Sequence, residues 1–328
     1  MTSRAHTLAL GRLLLSQVFY VLSHSLVKFG NAWLSLPLLL MARFGVSSVI
    51  LFGINASMAT YARWGTWRRA PSGLALSPNA SDTLPLDQCG VASQHQPNKN
   101  FIARIILNSA NQQLVLRAIL GLASMAFYFY ALRIGPLGRG NLIFSLGVLW
   151  GYIFSIIGKQ ESPTWRTSLG MLCALSGLGL LFTIRGENGN IYADLAALAG
   201  SLCYGMVMVT LKSLRKEHSA RTIITWFYGV GAVWVLPFVS LQNVTLTWPL
   251  IGLIVGIGVA GLLAQWLMTD AYKAVPGSVA SSMNLLGTPM MMVSGMLFFS
   301  EVLHMVEMLG ALCILVGLVA IVWPKGAR

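Results

Sequence analysis

Gln17, Tyr20 and His24 stand three and four residues apart in an apolar run, so a helix through them carries an amide, a phenol and an imidazole on one face. Ser201, Tyr204 and Met208 repeat that spacing, as do Asn141, Phe144 and Val148, and again Ser281, Asn284 and Thr288. Four apolar segments therefore each bear one narrow polar stripe. Amides and hydroxyls both donate and accept, while aromatic rings pack against apolar parts of a solute. Together they suit a mostly neutral, aromatic-lined pocket for a zwitterionic or polar organic molecule. The plainer alternative is that these groups only hydrogen-bond neighbouring helices. Arg43 falls in the middle of another apolar run, where a charge is costly and usually functional, and it would add positive potential at the pocket edge. Arg117 lies nearer a run's end and is expected to extend to the membrane surface. His24 has the chemistry of a proton relay. No carboxylate shares its stripe, so a packed histidine is the simpler reading.

The segments that must position these residues are membrane spans. The chain has 328 residues, 56% hydrophobic and only 9% charged, against about 25% charged for a soluble domain. Ten apolar runs of bilayer-spanning length are placed at about 9–29, 36–58, 114–132, 140–158, 168–184, 193–211, 222–241, 250–270, 279–299 and 305–323. Pro237 and Pro289 fall inside spans and are expected to kink them. The first run, behind Arg4 and Arg12, is too long for a signal-peptide core and reads as a retained span. The net charge of +13 raises nucleic acid as a partner. The basic residues sit at span ends rather than in one surface patch, so that partner is set aside in favour of the lipid bilayer. Cys89, Cys173, Cys203 and Cys313 form no CxxC pair. Glu301, His304 and Glu307 have helical ligand spacing but fall at a short turn, so no metal is expected. No GxxxxGK[ST] loop is present, and no cofactor is implied. Gly252, Gly256 and Ala260 form a small-residue stripe, whose uses are packing within the bundle or a homodimer.

The segment Ala131–Phe182 recurs without a gap as Ala271–Val322, with 12 of 52 positions identical. The informative matches are Pro136/Pro276, Gly147/Gly287, Glu161/Glu301, Gly170/Gly310, Cys173/Cys313 and Gly177/Gly317. In each copy a Glu precedes, by nine residues, the Gly that opens the last span. This placement assigns Glu161 and Glu301 a structural job, capping the helix that follows. Tyr20 and Lys28 match Tyr204 and Lys212 more weakly, at an offset of 184. The larger offset is explained by a polar loop of about 61–111 inserted in the first half. The expected organisation is thus two five-span repeats, 1–184 with spans one to five and 185–328 with spans six to ten. Five is odd, so the second repeat inserts upside down relative to the first. With both termini cytoplasmic, 17 Lys and Arg fall on the inner side and four on the outer, a strong positive-inside bias. The fold class expected is all-α integral membrane, ten transmembrane helices as two inverted five-helix repeats. The location expected is the cell membrane, the inner one in a bacterium.

Two stretches carry a family resemblance. RAILGLASMAFYFYALRIGPLGRGNLIFSLGVLWGYIFSIIGKQESPTWRTSLGMLCALSGLGLL, from Arg117, resembles the end of one EamA repeat, and AQWLMTDAYKAVPGSVASSMNLLGTPMMMVSGMLFFSEVLHMVEMLGALCILVGLVAIV, from Ala264, the end of another. The chain is similar to the EamA branch of the drug/metabolite transporter superfamily. That resemblance implies a ten-helix bundle and alternating access. It also implies transport of small organic solutes, with spans one, four, six and nine lining a central cavity. One departure concerns the fourth span of each half, which in the family carries a proline near its middle. The second copy has Pro289 but the first has Leu149, so a weaker bend is expected in the first half. The substrate is expected to be a small molecule, and the protein not an enzyme. The competing reading is a membrane-embedded enzyme for a lipid or lipid-phosphate substrate. It would need carboxylates, histidine or a nucleophile clustered at one membrane face, whereas the nine acidic residues are scattered.

Overall fold

The computed structural model describes residues 3–68, 109–157, 164–183, 190–240, 247–272, 283–302 and 305–322. All regular structure among them is helical. The long helices are α1 (Ser3–Gly30), α2 (Leu36–Arg68), α3 (Ser109–Ile134), α7 (Ile191–Glu217) and α9 (Trp248–Ala271). Shorter ones are α4 (Leu137–Ser145), α5 (Gly147–Ile157), α6 (Trp165–Thr183), α8 (Ala220–Val235), α10 (Gly287–Phe299) and α11 (Met305–Val322). Among the described residues, six stretches are long and apolar enough to cross a bilayer: Thr7–Gly30, Leu36–Ser57, Gln112–Ile134, Leu137–Ile157, Ile191–Arg215 and Trp248–Ala271. Apolar side chains lie on the outside as well as in the core; Phe52, Trp234, Leu172 and Phe298 are all exposed. That pattern belongs to a chain whose outer solvent is lipid, and the protein is a multi-pass membrane protein.

Several boundaries differ from those expected. The helix of span two continues to Arg68, and α3 already starts at Ser109, so both ends of the expected 61–111 loop are helical; the remainder of that loop, with Cys89, lies outside the described residues. Pro237 does not kink a span. It closes one, in a 3-10 turn over Leu236–Phe238 at the end of α8. The two fourth-span copies also differ from expectation. Both break at the same repeat position, Leu146 and Leu286, whose amides reach back to Ile143 and Met283 in tight turns of 3.2 and 3.1 Å. Pro289 sits in the first turn of α10, where a missing N–H costs nothing. The glycine after each break explains it better: a Cβ on Gly147 would stand 2.6 Å from the Tyr204 ring, and one on Gly287 2.5 Å from Gln17 Oε1. The first half therefore bends as the second does, without a proline.

The helices pack in a set of pairs. The most extensive are α6 on α11, α3 on α7 and α1 on α9, followed by α5 on α7, α2 on α9, α2 on α8, α3 on α8, α4 on α10 and α1 on α10. Exchange α1 for α7, α2 for α8, α3 for α9, α4 and α5 for α10, and α6 for α11, and this set maps onto itself. The α6–α11 contact is reciprocal in detail. A Cβ on Gly177 would lie 2.6 Å from the Gly310 carbonyl oxygen, and one on Gly317 2.5 Å from that of Gly170. Gly256 and Ala260 of the small-residue stripe turn inward, Gly256 against Leu26 of α1, so part of the stripe serves packing within the chain.

Candidate functional site

A cavity of about 80 Å³ lies where α1, α3, α4, α7 and α10 converge. Gln17, Tyr20 and His24 reach it from α1, Asn141, Phe144 and Ser145 from α4, Tyr204 from α7, and Asn284, Gly287 and Thr288 from the broken fourth span of the second copy. The helical spacing predicts these shared faces, and the breaks at Leu146 and Leu286 bring the glycine-led helices against α7 and α1. One wall is a continuous aromatic run. Tyr20 stacks on His24 with centroids 5.7 Å apart, His24 meets the edge of Tyr128 at 4.9 Å, Tyr128 packs on Phe144 at 4.3 Å, and Phe144 on Tyr204 at 5.1 Å. Tyr20 and Tyr204 stand at its two ends.

The polar groups are joined in chains. Gln17 Nε2 donates to Asn284 Oδ1 at 2.9 Å, and Asn284 Nδ2 donates to the Tyr272 hydroxyl at 3.0 Å. Tyr128 donates to Asn141 Oδ1 at 3.0 Å, and Tyr20 donates to Gln265 Oε1 at 2.6 Å. These bonds hold the lining at defined angles and leave spare lone pairs toward the cavity. His24 is the exception: it is 5% exposed, lines the cavity, and both its ring nitrogens are buried without a partner.

Behind this wall sit two buried guanidinium groups. Arg43 is fully buried and Arg117 is 1% exposed, so the expectation that Arg117 reaches the membrane surface is not met. Arg43 Nη1 donates to Ser23 at 2.8 Å, while its Nε and Nη2 have no partner. Its guanidinium carbon is 5.7 Å from the centroid of Tyr20. It fits because residue 261 is glycine; a Cβ there would stand 2.6 Å from Arg43 Nη1. Arg117 lies 4.8 Å over the ring of Phe227, with Nε and Nη1 unpartnered. Among the described residues neither arginine has a carboxylate partner.

Other charged groups among the described residues form ion pairs. Arg139 and Asp194 form a buried two-pronged bridge of 2.9 and 2.8 Å, tying α4 to α7. Arg12 and Asp270 pair at the surface. At the opposite end of α1, Lys28 contacts Glu301 at 3.5 Å and donates to the Gly135 carbonyl. Glu301 accepts from the amides of Leu137 and Gly138. The carboxylate therefore caps α4, whereas the sequence assigns it to the helix that follows. Residues 303 and 304, between it and α11, lie outside the described residues, and the Pro136 turn presents two free amides to it instead. These residues surround a second, more open cavity of about 410 Å³ with Arg133 and Phe299.

The fate of the remaining candidates is mixed. Ser201 is buried and accepts from Trp150 Nε1 at 3.0 Å, one turn from the cavity rather than in its lining. Ser281, Glu161 and His304 lie outside the described residues. Gly170 and Gly310 serve the α6–α11 contact. Gln265, Tyr128 and Tyr272 complete the hydrogen-bond chains and were not singled out from sequence. Gln265, an amide amid an apolar run, was findable by the same rule that marked Arg43. The tyrosines gave no comparable signal, because an aromatic at a helix face is ordinarily core.

Comparison with known proteins points the same way as the lining. A sequence model of the EamA-like transporter family matches residues 92–183 and again 191–323. The pseudopaline exporter CntI of Pseudomonas aeruginosa is 24% identical over 210 residues, 63% of this chain and 74% of that protein. An uncharacterized transporter of Archaeoglobus fulgidus is 25% identical over 215 residues, 64% of this chain and 77% of that one. A solved crystal structure of a protein 16% identical superposes with a TM-score of 0.56 over 98% of this chain and 96% of its own, a likeness of fold.

Proposed function

Because the chain belongs to the EamA-like transporter family, we propose that it is a secondary transporter that moves a small polar organic metabolite through the central cavity by alternating access. The observation that carries this reading is the lining itself. Equivalent stripes of both halves, Gln17, Tyr20 and His24 with Tyr204, and Asn141 with Asn284 and Thr288, meet at one enclosed space. A pseudo-two-fold axis in the membrane plane brings such positions together from opposite sides. The packing pattern that maps onto itself and the reciprocal glycines of α6 and α11 support two inverted five-helix halves, 1–184 and 185–328, and ten spans in all. The relatives named as transporters, one a pseudopaline exporter, support transport rather than catalysis. In this reading the bends at Leu146 and Leu286 are the hinges, and the Lys28–Glu301–Gly135 contacts close one end of the path. Both termini lie in the cytoplasm and the protein resides in the cell membrane.

The test is flux in proteoliposomes. Purified protein should carry radiolabelled polar metabolites down an imposed gradient, with the solute recovered chemically unchanged. Conversion of a lipid or lipid phosphate without solute movement would establish the membrane-enzyme reading instead.

A further inference from the structure

One buried imidazole lines the cavity and two buried guanidinium groups stand behind its aromatic wall, with no counter-charge beside them among the described residues. His24 lines it with two unpartnered nitrogens. Arg43 lies against the ring of Tyr20, which also lines it. Arg117 stands over the ring of Phe227. Their neighbours are Ser23, Gly261, Tyr20, Phe227 and Tyr228, all neutral. Asp194, by contrast, is fully engaged by Arg139, and Asp270 by Arg12. Two uncompensated charges in a membrane interior are costly, and ring contacts offset only part of that cost. Charges that stabilised the fold alone would be expected to have a carboxylate beside them, as Arg139 does. In a dry, low-dielectric site their field reaches well past the first contact.

Resting on the transport reading above, we propose that the transported solute is an organic anion whose carboxylate docks against His24 in the field of Arg43 and Arg117. His24 supplies the direct donor, and the solute carboxylate supplies the counter-charge that the two arginines lack. A solute with as many cationic as anionic groups gains little from such a field, so the carboxylates outnumber the amines. The cavity admits one carboxylate end of a short chain, with the rest of the molecule lying along the Phe144–Tyr204 wall.

The experiment is a thermal-stability titration of the full-length protein in nanodiscs with succinate, citrate and glutamate, each against its amide, and with inorganic phosphate. At least one carboxylate should raise the melting temperature in a saturable way, with its amide at least tenfold weaker. Arg43→Met and Arg117→Met should each weaken that carboxylate by about tenfold while leaving the ligand-free melting temperature unchanged or higher, because an unpaired buried charge has been removed. His24→Ala should weaken it similarly. No difference between any anion and its amide overturns the inference, as does a response to phosphate alone. Arg→Met variants that melt much lower yet bind the carboxylate as before also overturn it, assigning the arginines to the fold. Should the variants not be recoverable, the anion-against-amide comparison on the unmodified protein decides. Proteoliposome flux keeps the two readings apart: movement of neutral solutes only sinks this inference and leaves transport standing, whereas no movement of any solute sinks transport.

Discussion

At the residue scale, the hydrogen-bond partners determine what each substitution can report. Tyr20 donates to Gln265, so Tyr20→Phe leaves a buried amide oxygen unpaired and should cost about 1–3 kcal/mol of stability as well as several-fold in flux. The Tyr204 hydroxyl faces the cavity with no partner among the described residues. Tyr204→Phe should therefore leave the melting temperature unchanged and lower flux several-fold, which makes it the cleaner probe of solute contact. Normal flux in both variants, across every transported solute, would remove these tyrosines from the site. Asp194 is a different case. It and Arg139 are each about 2% exposed, so Asp194→Asn removes the carboxylate charge from beside a buried guanidinium and should cost about 3–5 kcal/mol, seen as lost folded yield in detergent. The surface pair Arg12–Asp270 is about half exposed, and Asp270→Asn should be nearly silent in the same assay.

At the element scale, glycines decide how closely the helices approach. Gly177 and Gly317 let α6 and α11 meet at their backbones, Gly177 against the Gly310 carbonyl and Gly317 against the Gly170 carbonyl and Ala174. Gly177→Ala and Gly317→Ala should each cost about 1–3 kcal/mol, and by similar amounts, because the two contacts are reciprocal. Gly179 on the same helix has open space around its Cβ position, so Gly179→Ala should be neutral or slightly stabilising. Thermal denaturation of the three variants checks both statements; a large difference between the first two would argue against a two-fold relation of α6 and α11. The same scale explains the bend of the first half. A proline rule keyed to Pro289 and Leu149 looks at the wrong residue. The helix breaks where Gly147 and Gly287 allow a neighbouring helix to come within contact, and glycine is present in both copies.

For the whole molecule, the proposed orientation rests on charge. Arg117 and Arg139 are buried and leave the tally of loop charges, which then stands at 16 on the inner side against three on the outer. The bias survives the correction. Cys89 lies in the segment between α2 and α3, on the side assigned to the cytoplasm. An impermeant thiol reagent should leave it unlabelled in intact cells and label it after permeabilisation; rapid labelling from outside would reverse the assigned orientation.

What the sequence determined by itself was the class of the molecule and which polar residues share a helix face. Composition alone demands lipid as solvent, since 9% charged residues cannot clothe a soluble fold of this size. Helical spacing picks out Gln17, Tyr20, His24, Asn141 and Asn284, because residues three and four apart share a face in any helix. Tertiary structure decided what periodicity cannot reach. Whether Arg117 reaches water or the interior depends on which helices surround it, and α8 supplies Phe227 there. Which helix Glu301 caps depends on which free amides lie within reach, and those of Leu137 and Gly138 come from a segment more than 160 residues away in sequence. The same is true of the unneutralised arginines. A sequence shows that a charge is present, but only the packed structure shows that nothing stands beside it to balance it.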